Sequence, residues 1–272
     1  MKAIDKKALF LMKQKGLKSL LPGKARITVG MGTCGIGNGS ENVLSAIKSN
    51  LKSMKSKPDV VSVGCFGCCS YEPLVTVHVP NKSLVMFSKV QPEDVPSILE
   101  FVEKQNFDHP KILLKISSWD FIPDQVEFGT GAENVSEWNE IPFFKWQKKI
   151  VLRNCGLIDP SSIHEFAAVG GYSAYFKALT EMKHETIIDE VKKSNLRGRG
   201  GAGFPTGRKW EIMRNVPGDK KYIICNADEG NPGSYMNRNE IEGDPHGLIE
   251  GMAIGAFTMG ADEGIVYIRA KY

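Results

Sequence analysis

No stretch of this chain approaches the roughly 18 to 20 consecutive apolar residues that a bilayer-spanning helix needs, so no membrane span is expected. No charge of one sign dominates: 35 Lys and Arg against 31 Asp and Glu leave a net charge of +4. That is too mild to argue for nucleic acid or an anionic membrane as partner. Periodic repeats and low-complexity tracts are absent. The first thirteen residues, Met-Lys-Ala-Ile-Asp-Lys-Lys-Ala-Leu-Phe-Leu-Met-Lys, lack the core of a signal peptide, because lysines interrupt the apolar run too soon. They read instead as an amphipathic helix that docks on a neighbour, and a cytoplasmic location is expected. What remains is ordinary for a soluble globular protein, with 42% hydrophobic and 24% charged residues. A length of 272 residues allows about two domains.

The six cysteines are unevenly spread. Cys34, Cys65, Cys68 and Cys69 crowd the N-terminal part, while Cys155 and Cys225 stand apart. In a cytosolic chain such a cluster points to metal or redox work rather than structural disulfides. Cys225 sits in an apolar strand and reads as a small core residue, and Cys155 reads as structural too.

The pattern gives a docking helix over 1–22, then an α/β domain over 23–115. Within it Ala25–Met31 reads as a strand, Cys34–Ser40 as a glycine-rich turn, and Glu41–Met54 as a helix with Val43, Leu44, Ile47 and Leu51 on one face. Asp59–Val63 is a β-branched strand running into Cys65. Two further strands flank Pro80-Asn-Lys-Ser, and Gln91–Gln105 is a helix. The order β-α-β-β-β-α is compatible with a small thioredoxin-like domain that carries its cysteine turn after the second strand. Residues 116–145 lose periodicity and read as a linker or a surface-hugging arm. A second domain, 146–272, is expected to hold a helix starting at Asp159-Pro160, helices over Ser173–Leu179 and Glu185–Lys193, a strand at Tyr222–Cys225, a helix opened by Pro245 and reaching Met259, and a strand at Gly264–Arg269. Strand, crossover helix and strand imply parallel pairing, with ligands at the strands' C-terminal ends.

The richest string is Asn195-Leu-Arg-Gly-Arg-Gly-Gly-Ala-Gly-Phe-Pro-Thr-Gly-Arg-Lys-Trp210. Glycines there let backbone N–H groups turn toward one flat or anionic ligand, and Arg197, Arg199, Arg208 and Lys209 suit a phosphate or a reduced flavin anion. A glycine pattern alone is weak. It is followed by Cys225-Asn-Ala-Asp-Glu-Gly-Asn-Pro-Gly-Ser-Tyr-Met-Asn-Arg238 and Glu242-Gly-Asp-Pro-His246, which makes the combination specific. On these motifs the chain resembles the NADH-binding flavoprotein subunit of respiratory complex I and its relatives in electron-bifurcating hydrogenases and NAD(P)-dependent formate dehydrogenases. The likeness runs over residues 145–272 and more weakly over the first hundred residues.

That resemblance implies an incomplete Rossmann-like FMN-binding domain after a thioredoxin-like [2Fe–2S] ferredoxin-type domain. It places Gly198, Arg199 and Gly200 against FMN, Lys209 near the polar end of FMN, and Asn226, Asp228 and Glu229 on flavin or nucleotide. Asn offers a donor and an acceptor to the ring edge, and carboxylates read sugar hydroxyls. Phe204 would stack on a nicotinamide or adenine ring. His246 reads as a local hydrogen-bonding residue. Asn231, Asn237 and Ile212 depart from the acids and the aromatic that relatives commonly carry. Their absence would weaken NADH binding or change the choice between NAD(H) and NADP(H).

The implied cluster takes two cysteine pairs, spaced C-x4-C and C-x3-C. Cys65 and Cys69 supply the second pair and Cys34 the second member of the first, but the remaining position is Val29, which cannot ligate iron. Cys68 is an extra. A [2Fe–2S] cluster and a scaffold with vestigial cysteines both stay open. Relatives continue past Tyr272 with a second flavin loop, a ubiquitin-like domain and a helical [4Fe–4S] domain, so a split protein completed by another chain, or a truncated product, is expected. The leading function is the flavin-binding part of an NAD(P)H-linked oxidoreductase complex, exchanging hydride between nicotinamide and FMN and passing electrons to iron–sulfur centres. Expected partners are an iron–sulfur subunit and a hydrogenase- or formate-dehydrogenase-type subunit. The alternatives are a non-catalytic assembly subunit and a one-cluster electron relay.

Overall fold

The computed structural model describes residues 5–54, 56–231 and 233–269. The first four residues of the expected docking helix and residues 270–272 of the expected second domain lie outside the described residues. The chain divides into two units interleaved in sequence. The first comprises Phe10–Gly170 with Asn239–Pro245; the second comprises Gly171–Arg238 and His246–Tyr272 with Met1–Leu9. Residues 116–170, expected to be shared between a linker and the second domain, therefore group with the first unit.

Helix α1 (Lys6–Leu20) opens the chain. There follow β1 (Arg26–Gly30), the short α2 (Thr33–Gly37), α3 (Ser40–Asn50), β2 (Asp59–Val63), β3 (Val75–His78), β4 (Leu84–Phe87), α4 (Val95–Lys104) and β5 (Ile112–Ile116). The strands form one sheet in the order β2-β1-β3-β4-β5. Only β1 and β2 pair in parallel, and the other neighbours are antiparallel. Parallel neighbours need a crossover, which α2 and α3 provide. Every residue of β1, β3 and β4 is buried; β4 is an apolar run, whereas β1 and β3 bury Arg26, Thr28, Thr76 and His78 as well, with the Thr28 and Thr76 hydroxyls paired at 2.6 Å. Val43 and Ile47 of α3, with Val95, Ile98 and Leu99 of α4, pack on Ile27, Val29, Val75, Val77, Val85 and Phe87. Strand β5 is not announced by the sequence, because a short, mostly apolar run interrupted by Lys115 has no period that separates strand from buried helix.

Beyond β5 the chain hugs the first unit. A hairpin of β6 (Ser118–Asp120) and β7 (Gln125–Glu127) buries Trp119, Phe121, Val126 and Phe128. The Phe66 ring lies 5.6 Å from that of Trp119 and 5.4 Å from that of Phe144. Helix α5 (Ile163–Ala168) begins three residues later than the expected start at Asp159-Pro160. Asp159 Oδ1 accepts from both the backbone N–H and the hydroxyl of Ser161, at 2.9 and 2.7 Å. That closes a local turn instead of capping a helix. Ser162 is the cap, its Oγ accepting from Glu165 N–H at 3.2 Å.

Close packing sets α1 against α5. A Cβ on Gly16 would stand 1.8 Å from the His164 carbonyl oxygen. Glycine inside a helix costs about 1 kcal/mol against alanine, so its presence at this approach has a steric reason. Gly16→Ala should gain that propensity yet lose more to overpacking, for a net destabilisation of about 1–2 kcal/mol in urea denaturation. An unchanged or raised midpoint would show that α1 can shift without penalty.

In the second unit α6 (Ser173–Glu181), α7 (His184–Lys193) and α8 (Thr206–Asn215) precede β8 (Tyr222–Asn226). Helix α9 (Met236–Gly243) carries the chain across to the first unit, and α10 (Pro245–Met259) returns it to β9 (Glu263–Tyr267). Strands β8 and β9 pair in parallel, Tyr222 opposite Glu263 and Asn226 opposite Tyr267, with α10 as crossover. Helix α10 lies tightly on β8: a Cβ at Gly255 would meet Ile223 Cδ1 at 2.7 Å. No helix among the described residues is long and apolar enough to cross a membrane.

Candidate functional site

The first unit gathers a thiol cluster at the C-terminal ends of β1 and β2. Cys34 lies in the first turn of α2, Cys65 follows β2, and Cys69 opens the next turn. Their Sγ atoms all lie within 4.8 Å of one another, with Cys65 and Cys69 3.6 Å apart. Cys68 is buried and does not belong to this triad. Val29, at the position where the resemblance places a fourth thiol, is fully buried in the sheet core. The three thiols are one short of the four-thiolate set of a conventional [2Fe–2S] cluster.

The cluster is electrostatically uneven. Hydrogen bonds donated by Cys34 and by the Gly67 N–H, the latter at 3.2 Å, pull the Cys65 thiol down to about 6. Cys34, as the donor to that thiolate and partly buried, is held well above the ordinary thiol range. Burial raises Cys69 and pushes Cys68 up to about 12. Cys155, also buried, is likewise pushed up to about 12, which fits the inert structural role expected of it.

Two further groups belong to this neighbourhood, and neither stood out in the sequence. Glu72 is buried, with Oε1 3.8 Å from Cys34 Sγ and Oε2 accepting from Leu74 N–H at 2.7 Å. Burial pushes its carboxyl up to about 7. Its only sequence signal was an acid just after the cysteine turn. Lys149 donates to the Phe66 carbonyl oxygen and lies 3.6 Å from the centroid of the Phe66 ring. Burial lowers its ammonium to about 8. Nothing in the local sequence tied it to the cysteines.

In the second unit the glycine-rich loop spans α7 to α8. It is pinned at its base by Gly198 N–H to Phe204 O and Thr206 N–H to Leu196 O, both 2.9 Å, and by Arg197 Nη1 to Gly203 O at 3.2 Å. Above that base the backbone is bare. Nothing lies within 4 Å of where a Cβ would sit on Gly200 or Gly201, and Gly201 takes a φ of +104°. A Cβ on Gly198 would stand 3.6 Å from Lys209 Nζ, so the structure does bring those two expected residues together. Phe204 is exposed. The side chains of Arg199, Arg208 and Lys209 make no ion pair or hydrogen bond among the described residues. Open backbone donors beside unpaired cations are a donor set suited to a phosphate-bearing planar ligand. A concavity of about 470 Å³ lies on the α7–α8 side of the loop, bordered by Lys192, Arg197, Pro205, Arg208 and Glu211; Gly198, Arg199, Gly200, Phe204 and Lys209 do not line it.

Asn226 ends β8, as expected, and its Oδ1 accepts from Asp228 N–H at 3.0 Å. Asp228 faces Arg269, Oδ1 to Nε 3.8 Å. Glu229 is buried, and its Oε1 accepts from the N–H groups of Asn237 at 2.6 Å and Arg238 at 3.3 Å. That carboxylate therefore satisfies free donors at the start of α9, a structural task beside the cofactor contact the resemblance implied. No hydrogen bond among the described residues joins Asn226, Asp228 or Glu229 to the glycine-rich loop. His246 Nδ1 lies 2.9 Å from Tyr172 Oη, in keeping with a local hydrogen-bonding role.

Residues 191–272, the loop and both strands, match the family described as the Nuo51 FMN-binding domain. Among curated relatives, the NADP-reducing hydrogenase subunit HndC of Solidesulfovibrio fructosivorans is 54% identical over 128 residues, covering 47% of this chain and 26% of that protein. An NADH-quinone oxidoreductase subunit of Rhizobium meliloti (strain 1021) is 50% identical over 123 residues, covering 45% of this chain and 29% of that one. The chain thus spans under a third of the length of these curated relatives. Among solved structures, an NAD+-reducing [NiFe]-hydrogenase in the air-oxidized state superposes with a TM-score of 0.38 at 19% identity, over 99% of this chain and 44% of that one. A superposition that loose carries no weight for the arrangement of the units.

Proposed function

We propose that the second unit is part of an FMN-binding, NAD(P)H-linked electron-input module, and that the first unit is a thioredoxin-like domain attached to it. The observation that carries the proposal is the Asn195–Trp210 loop, with its open backbone at Gly200 and Gly201 and its unpaired Arg199, Arg208 and Lys209. The Nuo51 match over the same residues supports it. FMN, when bound, supplies the conversion between hydride exchange with a nicotinamide and single-electron transfer to iron–sulfur centres. This chain's residues supply position and charge. Gly198 and Gly200 let the backbone approach the ligand, Arg199 and Lys209 neutralise its phosphate, and Phe204 offers an exposed ring face for stacking. Asn226 presents an amide at the end of β8, where open α/β sheets place their ligands. No side chain needs to act as general acid or base.

The partners proposed are the other subunits of a multi-subunit redox complex: an iron–sulfur subunit, a catalytic subunit of hydrogenase or formate-dehydrogenase type, and any chain that supplies the rest of the FMN domain. Exposed apolar residues on β8 and β9, among them Ile224, Ile265, Val266 and Tyr267, offer such a chain a surface. The deciding experiment is anaerobic purification with partners, followed by a visible spectrum and quantified FMN. One FMN per chain, bleached by NADH or NADPH, is the expected result. A folded complex that carries no flavin would remove the catalytic reading and leave an assembly subunit.

A further inference from the structure

The thiol cluster does not match a conventional iron–sulfur site, and the mismatch is informative. We propose that Cys34, Cys65, Cys69 and Glu72 form a mononuclear site for a zinc-class divalent cation, with the Glu72 carboxylate as fourth ligand. Spacing is the first argument. A tetrahedral ion with metal–sulfur bonds of about 2.3 Å sets its ligand atoms about 3.8 Å apart. Cys65 and Cys69 are 3.6 Å apart and all three thiols fall within 4.8 Å of one another, while Glu72 Oε1, 3.8 Å from Cys34 Sγ, lies outside that mutual set and closes on Cys65 and Cys69 only as the ion draws it in. Two bridged irons would spread their thiolates over a longer span than one tetrahedral edge.

Room and charge are the second and third arguments. A Cβ on Gly30 would meet Glu72 Oε2 at 3.0 Å and Oε1 at 3.1 Å, so the glycine leaves space for the carboxylate next to the thiols. Glu72 has no basic partner among the described residues, and Leu74 N–H occupies Oε2. A buried carboxylate without a cation is costly, and a divalent ion among the thiols would supply one. Three thiolates and a carboxylate around a divalent ion leave net negative charge, which the buried Lys149 ammonium, itself set on the Phe66 ring and carbonyl, offsets. Binding releases the thiol protons to solvent as the thiolates form, and no redox change is involved. Cys68, buried outside the triad, takes no part.

The test uses the full chain, reduced, stripped of metal by chelator and titrated with Co²⁺ under anaerobic conditions. One Co²⁺ per chain with tetrahedral ligand-field bands is expected. Glu72→Gln keeps the shape and the acceptor for Leu74 N–H, and should weaken Co²⁺ binding about tenfold or more. Glu72→Cys should raise the thiolate-to-cobalt charge-transfer absorbance by about one third, since four thiolates replace three. If Glu72→Gln folds poorly, as judged by near-ultraviolet circular dichroism, the Glu72→Cys signal decides alone. Unchanged affinity in the first variant with unchanged intensity in the second would overturn the assignment. So would isolation of the wild-type chain with two irons and two sulfides per thiol cluster. Flavin content is read separately, so loss of either reading leaves the other standing.

Discussion

Glu165→Ala is expected to lower the stability of the first unit by about 3–5 kcal/mol, read as a shift of the urea midpoint at unchanged slope. Glu165 is 1% exposed and Arg26 is 3% exposed. Their contact is bidentate, Nη1 to Oε1 and Nη2 to Oε2, both 2.9 Å. The carboxylate also accepts from Ser19 Oγ at 2.6 Å and from Asp159 N–H at 2.7 Å. It thereby ties the end of α1, strand β1 and the turn before α5 to one point. Removing it strands a buried guanidinium and two donors, which costs far more than the pair is worth against apolar replacements. The paired change Arg26→Met with Glu165→Leu should therefore recover most of the loss. A single-variant shift below about 1 kcal/mol, the range of exposed pairs, would mean that water reaches the site.

The second large effect concerns the glycine-rich loop. Replacing Arg199 and Lys209 together by alanine should weaken FMN binding by roughly a hundredfold or more, because each charge-assisted hydrogen bond contributes about 1.5–3 kcal/mol. Riboflavin, which lacks the phosphate, should lose much less affinity in the same variant. Neither side chain has an ion pair or hydrogen bond among the described residues, so the double change should leave thermal stability within about 0.5 kcal/mol of the parent. Equal losses for FMN and riboflavin would show that these cations do not read the phosphate. An unchanged FMN affinity would move the binding site elsewhere.

The local pattern was largely legible in the sequence. Apolar spacing at Val43 and Ile47, and at Val95, Ile98 and Leu99, marked the helical faces that pack on the sheet. Pro245 marked the start of α10, and the helix does begin there and run to Met259. What escaped was long-range. Glu72 and Lys149 join the cysteines through burial and through approach from a distant part of the chain, and neither leaves a period or a motif. The start of α5 escapes the sequence because Asp159 and Ser162 are both good caps, and what decides between them is the Glu165 carboxylate, held by the distant Arg26 and accepting from Asp159 N–H. The glycine-rich loop stood out as a string, but the unpaired state of its cations is a property of the fold.

The seven residues Asn239–Pro245 belong to the first unit although the second unit surrounds them in sequence. Glu242 accepts from the backbone N–H and the hydroxyl of Thr33, at 2.9 and 2.6 Å, next to Cys34. Asp244 accepts from Asn154 at 2.7 Å, and a Cβ on Gly243 would collide with Cys155 Sγ at 2.6 Å. A chain emerging from the ribosome usually completes its N-terminal domain first. Here the wall beside the cysteines cannot close until Pro245 has been synthesised, when most of the second unit is already out. The thiols thus stay open to solvent until that segment has been made.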